Sequence, residues 1–181
     1  MGYVNGGKHF GQYTYEHWFD HEYENKKDFT VNELTIDEID FISNMVDNIF
    51  NEFVGKDYSV EGNNTFKDYI KPKNILNRIT DKSSQFYTAK MKNEIVGIME
   101  IKNKDHISLL FVKKEFHCKG IGKYLFEHYL NKSKRENTEI KIITVNSSIY
   151  AEKIYSKLGF IKTNEIQEKD GIKYIPMEYK I

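Results

Sequence analysis

Apolar residues recur at intervals of three and four from Ile36 to Phe53, through Ile39, Ile42, Met45, Val46, Ile49 and Phe50, a spacing that lays one stripe along a helix. Thr35 and Glu38 frame its start as a capping box, and Gly55 supplies a stop. A second amphipathic stretch from Thr65 to Ile79 carries Phe66, Tyr69, Ile70, Ile75, Leu76 and Ile79, and Pro72 divides it into two short helices. Between them Lys56 to Asn64 is polar and reads as turns, while Phe29 to Leu34 reads as a strand ahead of the first helix.

The pattern then changes period. Phe86 to Met91, Ile95 to Ile101 and His106 to Val112 are short apolar runs joined by Lys92-Asn93-Glu94 and Lys104-Asp105, which predicts an antiparallel meander. A helix follows from about Gly120 to Arg135, with Ile121, Leu125, Phe126, Tyr129 and Leu130 inward. Ile140 to Val145 is nearly all β-branched, which predicts a strand covered on both faces and parallel to His106–Val112, completing a right-handed βαβ unit. Ser147 or Ser148 caps a helix from Ile149 to Leu158, Gly159 ends it before a strand at Phe160, and Glu168 to Gly171 turns a hairpin into Ile172 to Tyr179.

Length and charge narrow the class. The 181 residues suit one domain. Twenty-seven basic and twenty-seven acidic residues cancel, so no overall field favours nucleic acid or an anionic membrane, and neither is expected as a partner. Cys118 is the only cysteine, which excludes an intramolecular disulfide. No apolar signal core occupies the first thirty residues, and no run approaches the roughly 18 apolar residues of a spanning helix. A soluble cytoplasmic protein is expected.

Residues 1–28 are crowded with Tyr, Phe, Trp and His and show no regular period. His17 and His21 stand four apart with Asp20 nearby, which would suit a metal on a helix face. With no further Cys or Glu motif, the favoured reading is an aromatic extension that packs on the domain or on a second copy, as in a homodimer, and no metal site is assigned.

Chemistry concentrates in Leu109 to Lys123, where an apolar strand breaks at a basic, glycine-containing loop and a helix begins. Free amides at a helix start, with Lys119 and Lys123 beside them, suit a phosphate. The nucleotide-hydrolase pattern Gly-x-x-x-x-Gly-Lys-Ser/Thr is absent, and the dinucleotide pattern would need a glycine where Leu125 stands. Cys118 beside Lys119 could in principle be a reactive thiol, but no Ser/His/Asp set accompanies it; the plainer reading is a variable loop position whose backbone amide matters more.

His117-Cys118-Lys119-Gly120-Ile121-Gly122 resembles the acyl-CoA loop of the GNAT superfamily of N-acetyltransferases, Gln/Arg-x-x-Gly-x-Gly/Ala, with His117 departing at the first position. Asn146 with Ala151 to Phe160 resembles the same superfamily's N-x-x-x-x-A-x-x-x-Y-x-K-x-G-F region, one helix and one strand later. The resemblance runs from about Phe29 to the C-terminus, which divides the chain into an extension, 1–28, and an N-acetyltransferase domain, 29–181.

That resemblance implies a mixed α/β fold: a central, mostly antiparallel sheet with one splayed parallel pair, flanked by helices. It implies acetyl-CoA as acyl donor, held by Leu110, Phe111 and Val112 on the strand, by His117, Cys118, Lys119, Gly120, Ile121, Gly122 and Lys123 in the loop, and by Asn146 and Tyr155. Tyr155 would protonate the departing thiolate; as a residue on a helix face shared with Ala151 and Leu158 it could equally be a packing ring. For the base that deprotonates the amine the chain offers His106, which aligns where some members carry a catalytic Glu, and Glu100 on the neighbouring strand. Segments after the first helix would line the acceptor pocket, with Tyr58, Glu61 and Tyr69 as candidates. The acceptor would be a small-molecule or peptide amine attacking directly in a ternary complex. The alternative is a catalytically silent CoA-binding regulatory module, which would need neither Tyr155 nor His106, and a generic phosphate-binding domain would not call for the second signature.

Overall fold

The computed structural model of the protein describes residues 29–136 and 139–181. The aromatic segment with His17, Asp20 and His21 lies outside the described residues. Strand β1, Phe29–Glu33, leads into a capping box in which the Thr35 amide donates to Glu38 Oε2 at 3.1 Å. A short 3-10 turn then runs into helix α1, Ile39–Phe53, whose Ile39, Ile42, Met45, Val46 and Phe50 are buried. Helix α2, Val60–Tyr69, and helix α3, Pro72–Thr80, follow. Pro72 occupies the first turn of α3, where its missing N–H costs nothing and its fixed φ suits the helix.

Strands β2, Ser84–Met91, β3, Glu94–Lys102, and β4, His106–Val112, form the expected meander. Helix α4, Ile121–Arg135, carries the chain back to strand β5, Ile142–Ser147. Helix α5, Glu152–Lys157, and strands β6, Ile161–Lys162, β7, Gln167–Lys169, and β8, Ile172–Lys180, complete the chain. Among the described residues the sheet has eight strands in the order β1-β2-β3-β4-β5-β8-β6, with β7 paired to β8, and all its pairings are antiparallel except β4 with β5. Apolar side chains from both faces build two cores. One lies under α4 and includes Tyr87, Met99, Ile101, Ile107, Leu125 and Val145, and the other lies under α1 and α3 and includes Ile42, Val46, Ile75, Phe86, Ile98 and Leu109.

Ile107 and Leu109 stand two apart on one strand yet pack in opposite cores. A bulge explains this, because Ile101 pairs with Ile107 and Glu100 with Leu109, which leaves Ser108 as the extra residue on β4. The parallel pairing of β4 with β5 holds only at His106↔Thr144 and Ile107↔Val145. From Ser108 onward the two strands diverge. The bulge and the loss of pairing coincide, as expected when an inserted residue increases the local twist.

Three expectations need correction. Strand β5 is not covered on both faces: Ile143, Val145 and Ser147 are buried while Ile142, Thr144 and Asn146 are exposed, so the β-branched run reflects strand propensity and not two-sided burial. The polar stretch before Thr65 is helical from Val60, because Ser59 caps it with Oγ accepting from the Gly62 amide at 3.0 Å. The helix after β5 starts at Glu152 and not at Ile149, the intervening residues forming a turn in which the Ala151 amide donates to Ser148 Oγ at 3.2 Å.

Candidate active site

The gap between β4 and β5 is the centre of the site. The Lys113 amide donates to Val96 O at 2.9 Å across the β3 side, and alternation along β4 turns the peptide groups of Phe111 to that same side. The peptide groups of Leu110 and Val112 therefore face the open gap. In agreement, Val112 O accepts from His117 Nε2 at 2.8 Å instead of from β3. Of the three strand residues expected to hold the donor, strand parity turns the peptide groups of Leu110 and Val112 to the gap, while the Phe111 ring packs 5.9 Å from Phe66 of α2. Asn146 stands exposed on β5, one residue beyond the last pair with β4.

The loop that follows β4 leaves its backbone amides open. Cys118 at φ 60° and Gly120 at φ 75° are both left-handed with Lys119 between them, an alternation that turns successive amides toward one side. Among the described residues, the backbone amides of Cys118, Lys119, Gly120, Ile121 and Gly122 donate no hydrogen bond. A Cβ on Gly120 would meet nothing within 4 Å, so the space over it is open. Lys123 lies in the first turn of α4, and Lys119 Nζ sits 4.9 Å from the Phe116 ring. His117 does not extend into this concavity: its ring closes back on Val112 and lies 5.3 Å from Phe53, which in turn lies 5.0 Å from Tyr150 beyond β5.

His106 marks the inner end of the gap. Its Nδ1 lies 2.8 Å from Thr144 Oγ1, and the Thr144 hydroxyl in turn reaches Asp105 O at 3.3 Å. A hydroxyl that donates to a carbonyl must accept from the ring, so Nδ1 carries the proton and Nε2 keeps a lone pair. Burial, the largest influence, pushes the His106 pKa below its ordinary value, with Lys102 acting the same way and Asp105 and Glu100 opposing. The imidazole is thus neutral at pH 7.

Glu100 is fully buried on β3, and its Oε1 accepts from Arg78 Nε at 2.8 Å and from the Tyr69 hydroxyl at 2.9 Å. Burial and the Glu100 charge push the Tyr69 phenol well above its usual range, and the Ser108 hydroxyl beside it works the other way. Tyr69 thus meets β4 at its bulge. Tyr58 and Glu61 lie at the other end of α2; Tyr58 packs edge-on to Phe50, and burial pushes its phenol up to about 12. Tyr155 is buried on α5 against Phe160, burial alone raises its pKa far above the ordinary phenol value, and among the described residues its hydroxyl has no hydrogen-bond partner.

Helix α2 roofs the gap. Its first turn is tied to the β7–β8 turn, the Ser59 amide donating to Gly171 O at 3.1 Å, and its last residue reaches β3 through Glu100. Ten helical residues span about 15 Å, close to the roughly 14 Å of three strand spacings from β3 to β8. The contact at the hairpin requires two glycines: a Cβ on Gly62 would lie 2.2 Å from Gly171 O, and one on Gly171 would lie 2.0 Å from Ser59 Oγ.

Arg78, Ser108, Thr144 and the Gly62–Gly171 contact were not anticipated. Only the first had a signal, since a lone carboxylate in the apolar run Ile95 to Ile101 and a lone guanidinium among Ile75, Leu76 and Ile79 each need a buried partner. Neither of the described concavities touches the gap, one lying on the outer face of α4 around Tyr124 and Arg135 and the other around Asn103 and Lys141. Among the described residues no group of three or more His, Cys, Asp or Glu is placed to hold a metal, and no helix is long and apolar enough to cross a membrane.

Among the described residues, a mixed sheet whose single parallel pair splays beside an amide-lined loop is the arrangement of the GNAT acetyltransferase fold. The profile described as Acetyltransferase (GNAT) domain matches residues 54–181, and the chain belongs to that family. Comparison with curated proteins returns no match. Among solved structures, a GCN5-related N-acetyltransferase from Rhodopseudomonas palustris superposes with TM-score 0.71 at 16% identity, covering 84% of this chain and 95% of its own. The PaiA N-acetyltransferase of Thermoplasma acidophilum in complex with coenzyme A gives 0.68 at 20% identity, with 84% and 99% covered. Spermidine N-acetyltransferase from Vibrio cholerae in complex with CoA and spermine gives 0.62 at 15% identity, with 85% and 96% covered. At these identities the likeness is one of fold.

Proposed function

We propose that the protein transfers an acetyl group from acetyl-CoA to an amine by direct attack. The observation that carries this reading is the run of open peptide groups, from Leu110 and the Val112 amide along the gap to the amides of Cys118 to Gly122 at the start of α4. Such a run matches a donor with an amide-bearing arm and a diphosphate, the arm pairing with β4 and the phosphates with the left-handed loop. Lys119 and Lys123 add charge at that end, and Asn146 faces the arm from β5. The PaiA and spermidine acetyltransferase structures, described with CoA, support a donor of the CoA type.

The donor supplies a thioester whose carbonyl carbon the amine attacks; a C–N bond forms and the C–S bond breaks. His106 Nε2 takes the proton the amine loses, directly or through water, while Thr144 holds the imidazole in the tautomer that can do so. Tyr155, protonated at neutral pH as any phenol is, gives its proton to the sulfur. The open peptide N–H groups of β4 stabilise the carbonyl oxygen as it gains charge.

On this reading the acceptor enters between α2 and the sheet. A panel of amines tests the reading: spermidine, an aminoglycoside, an amino-acid amide and a short peptide with a free N-terminus, each assayed for CoA release from acetyl-CoA. Release that depends on at least one of them is expected. Tight CoA binding without turnover on any amine would favour the silent regulatory module instead.

A further inference from the structure

We propose that Glu100, held by Arg78, is a positioning residue that fixes the Tyr69 hydroxyl as a hydrogen-bond acceptor for the incoming amine. The proposal rests on the transferase reading above and adds the group that recognises the acceptor.

Glu100 is unsuited to collect a proton from a substrate. Its side chain is 0% exposed, Oε1 already accepts two hydrogen bonds, and Arg78 Nη2 approaches Oε2 at 3.4 Å. Arg78 is 12% exposed and is itself fixed: its Nη1 donates to Tyr69 O at 2.9 Å and Asn74 O at 3.1 Å, and its guanidinium lies 3.8 Å from the centre of the Tyr69 ring. One arginine thus binds the end of α2, the body of α3 and a carboxylate on β3. Its planar fork makes this possible.

The consequence falls on Tyr69. A carboxylate accepts only, so the single phenolic proton is committed to Glu100 and the oxygen can only accept, from the Ser108 hydroxyl and from one further donor. That oxygen lies beside Ser108, the bulged residue at which β4 leaves β5. The splay point is where the reacting end of a donor lying along β4 and β5 would stop, and His106 begins the same strand. An acceptor group there, backed by a neutral ion pair, selects a molecule that brings N–H donors. An amine does so; an alcohol with its one O–H does so less well.

The test is kinetic, on the full chain with the panel amine of highest turnover. Tyr69→Phe keeps the ring under Arg78 and removes only the hydroxyl. It is expected to raise the KM for the amine about 10-fold, the effect of one lost hydrogen bond, with the KM for acetyl-CoA and its calorimetric Kd within about twofold of the parent. Glu100→Gln retains an oxygen that can accept from Tyr69 but leaves Arg78 without its counter-charge. It is expected to lower the melting temperature more than Tyr69→Phe does while moving the amine KM less.

An amine KM unchanged in Tyr69→Phe overturns the proposal. So does a Glu100→Gln protein that is folded and binds CoA normally yet has lost turnover, which would make Glu100 the base. A parent that turns over no amine would refute the transferase reading itself, a result separate from both of these.

Discussion

His106 Nδ1 lies 2.8 Å from Thr144 Oγ1 across the only parallel strand pair of the described sheet, and the Thr144 hydroxyl is in turn directed at Asp105 O. This fixes which ring nitrogen carries the proton and leaves Nε2 as the basic one. With His106 as the proposed base, activity should fall with falling pH through an inflection on the acid side of 6.5, because burial lowers the imidazole pKa. The pH–rate profile of the parent checks this. His106→Ala should abolish the inflection, and Thr144→Val should reduce kcat roughly 3- to 10-fold by releasing the tautomer. Profiles of His106→Ala and parent that overlay would exclude His106.

Gly120 combines φ 75° with open space where a Cβ would stand. A side chain there strains the backbone by about 1–2 kcal/mol and projects into the room that a phosphate would use. Gly120→Val should therefore weaken CoA binding at least tenfold in calorimetry, and more than thermal unfolding would suggest. Undiminished affinity would place the coenzyme away from this loop.

Tyr155 is the proposed acid for the leaving thiolate. Tyr155→Phe should lower kcat by about 10- to 10⁴-fold, the range for a positioned proton donor, with CoA affinity nearly unchanged because the ring and its packing on Phe160 survive. Its raised pKa means that no loss of activity from Tyr155 ionisation should appear up to pH 9. Parent-like turnover in the mutant would return the residue to a purely packing role.

The meander and its turns were legible because strand lengths are short, the alternation is clean and polar dipeptides punctuate it. His106–Val112 was read to the residue. The Ser108 bulge was not legible, since Ile107 and Leu109 keep the spacing of an ordinary strand and only their opposite cores reveal the extra residue. Helix α2 was hidden for a related reason. Its first turn carries Gly62 and polar side chains because it docks on another glycine, not on an apolar core. The open loop ahead of α4, the proposed CoA site, was readable from two glycines beside a basic helix start. The acceptor side was readable only as isolated candidates, because Tyr69, Arg78 and Glu100 come from three elements and meet only in the fold.

The glycine contact gives its own prediction. Gly62→Ala would put a Cβ 2.2 Å from Gly171 O, a backbone atom that cannot move aside without displacing the hairpin turn. A loss of about 1–3 kcal/mol in denaturant unfolding is expected, the range for overpacking. CoA affinity should change less than stability does, because Gly62 belongs to α2 and not to the proposed phosphate-binding loop, Cys118 to Gly122.

The most direct test of direct amine acetylation follows the acetyl group itself. Acetyl-CoA labelled in the acetyl carbon is incubated with the protein and the productive amine, and mass spectrometry then locates the label. The account predicts label on the amine nitrogen and none on the protein, whether or not amine is present. Label retained on a side chain such as Cys118 would show a covalent relay in place of direct attack, and label on no amine at all would contradict the assignment of acetyl transfer.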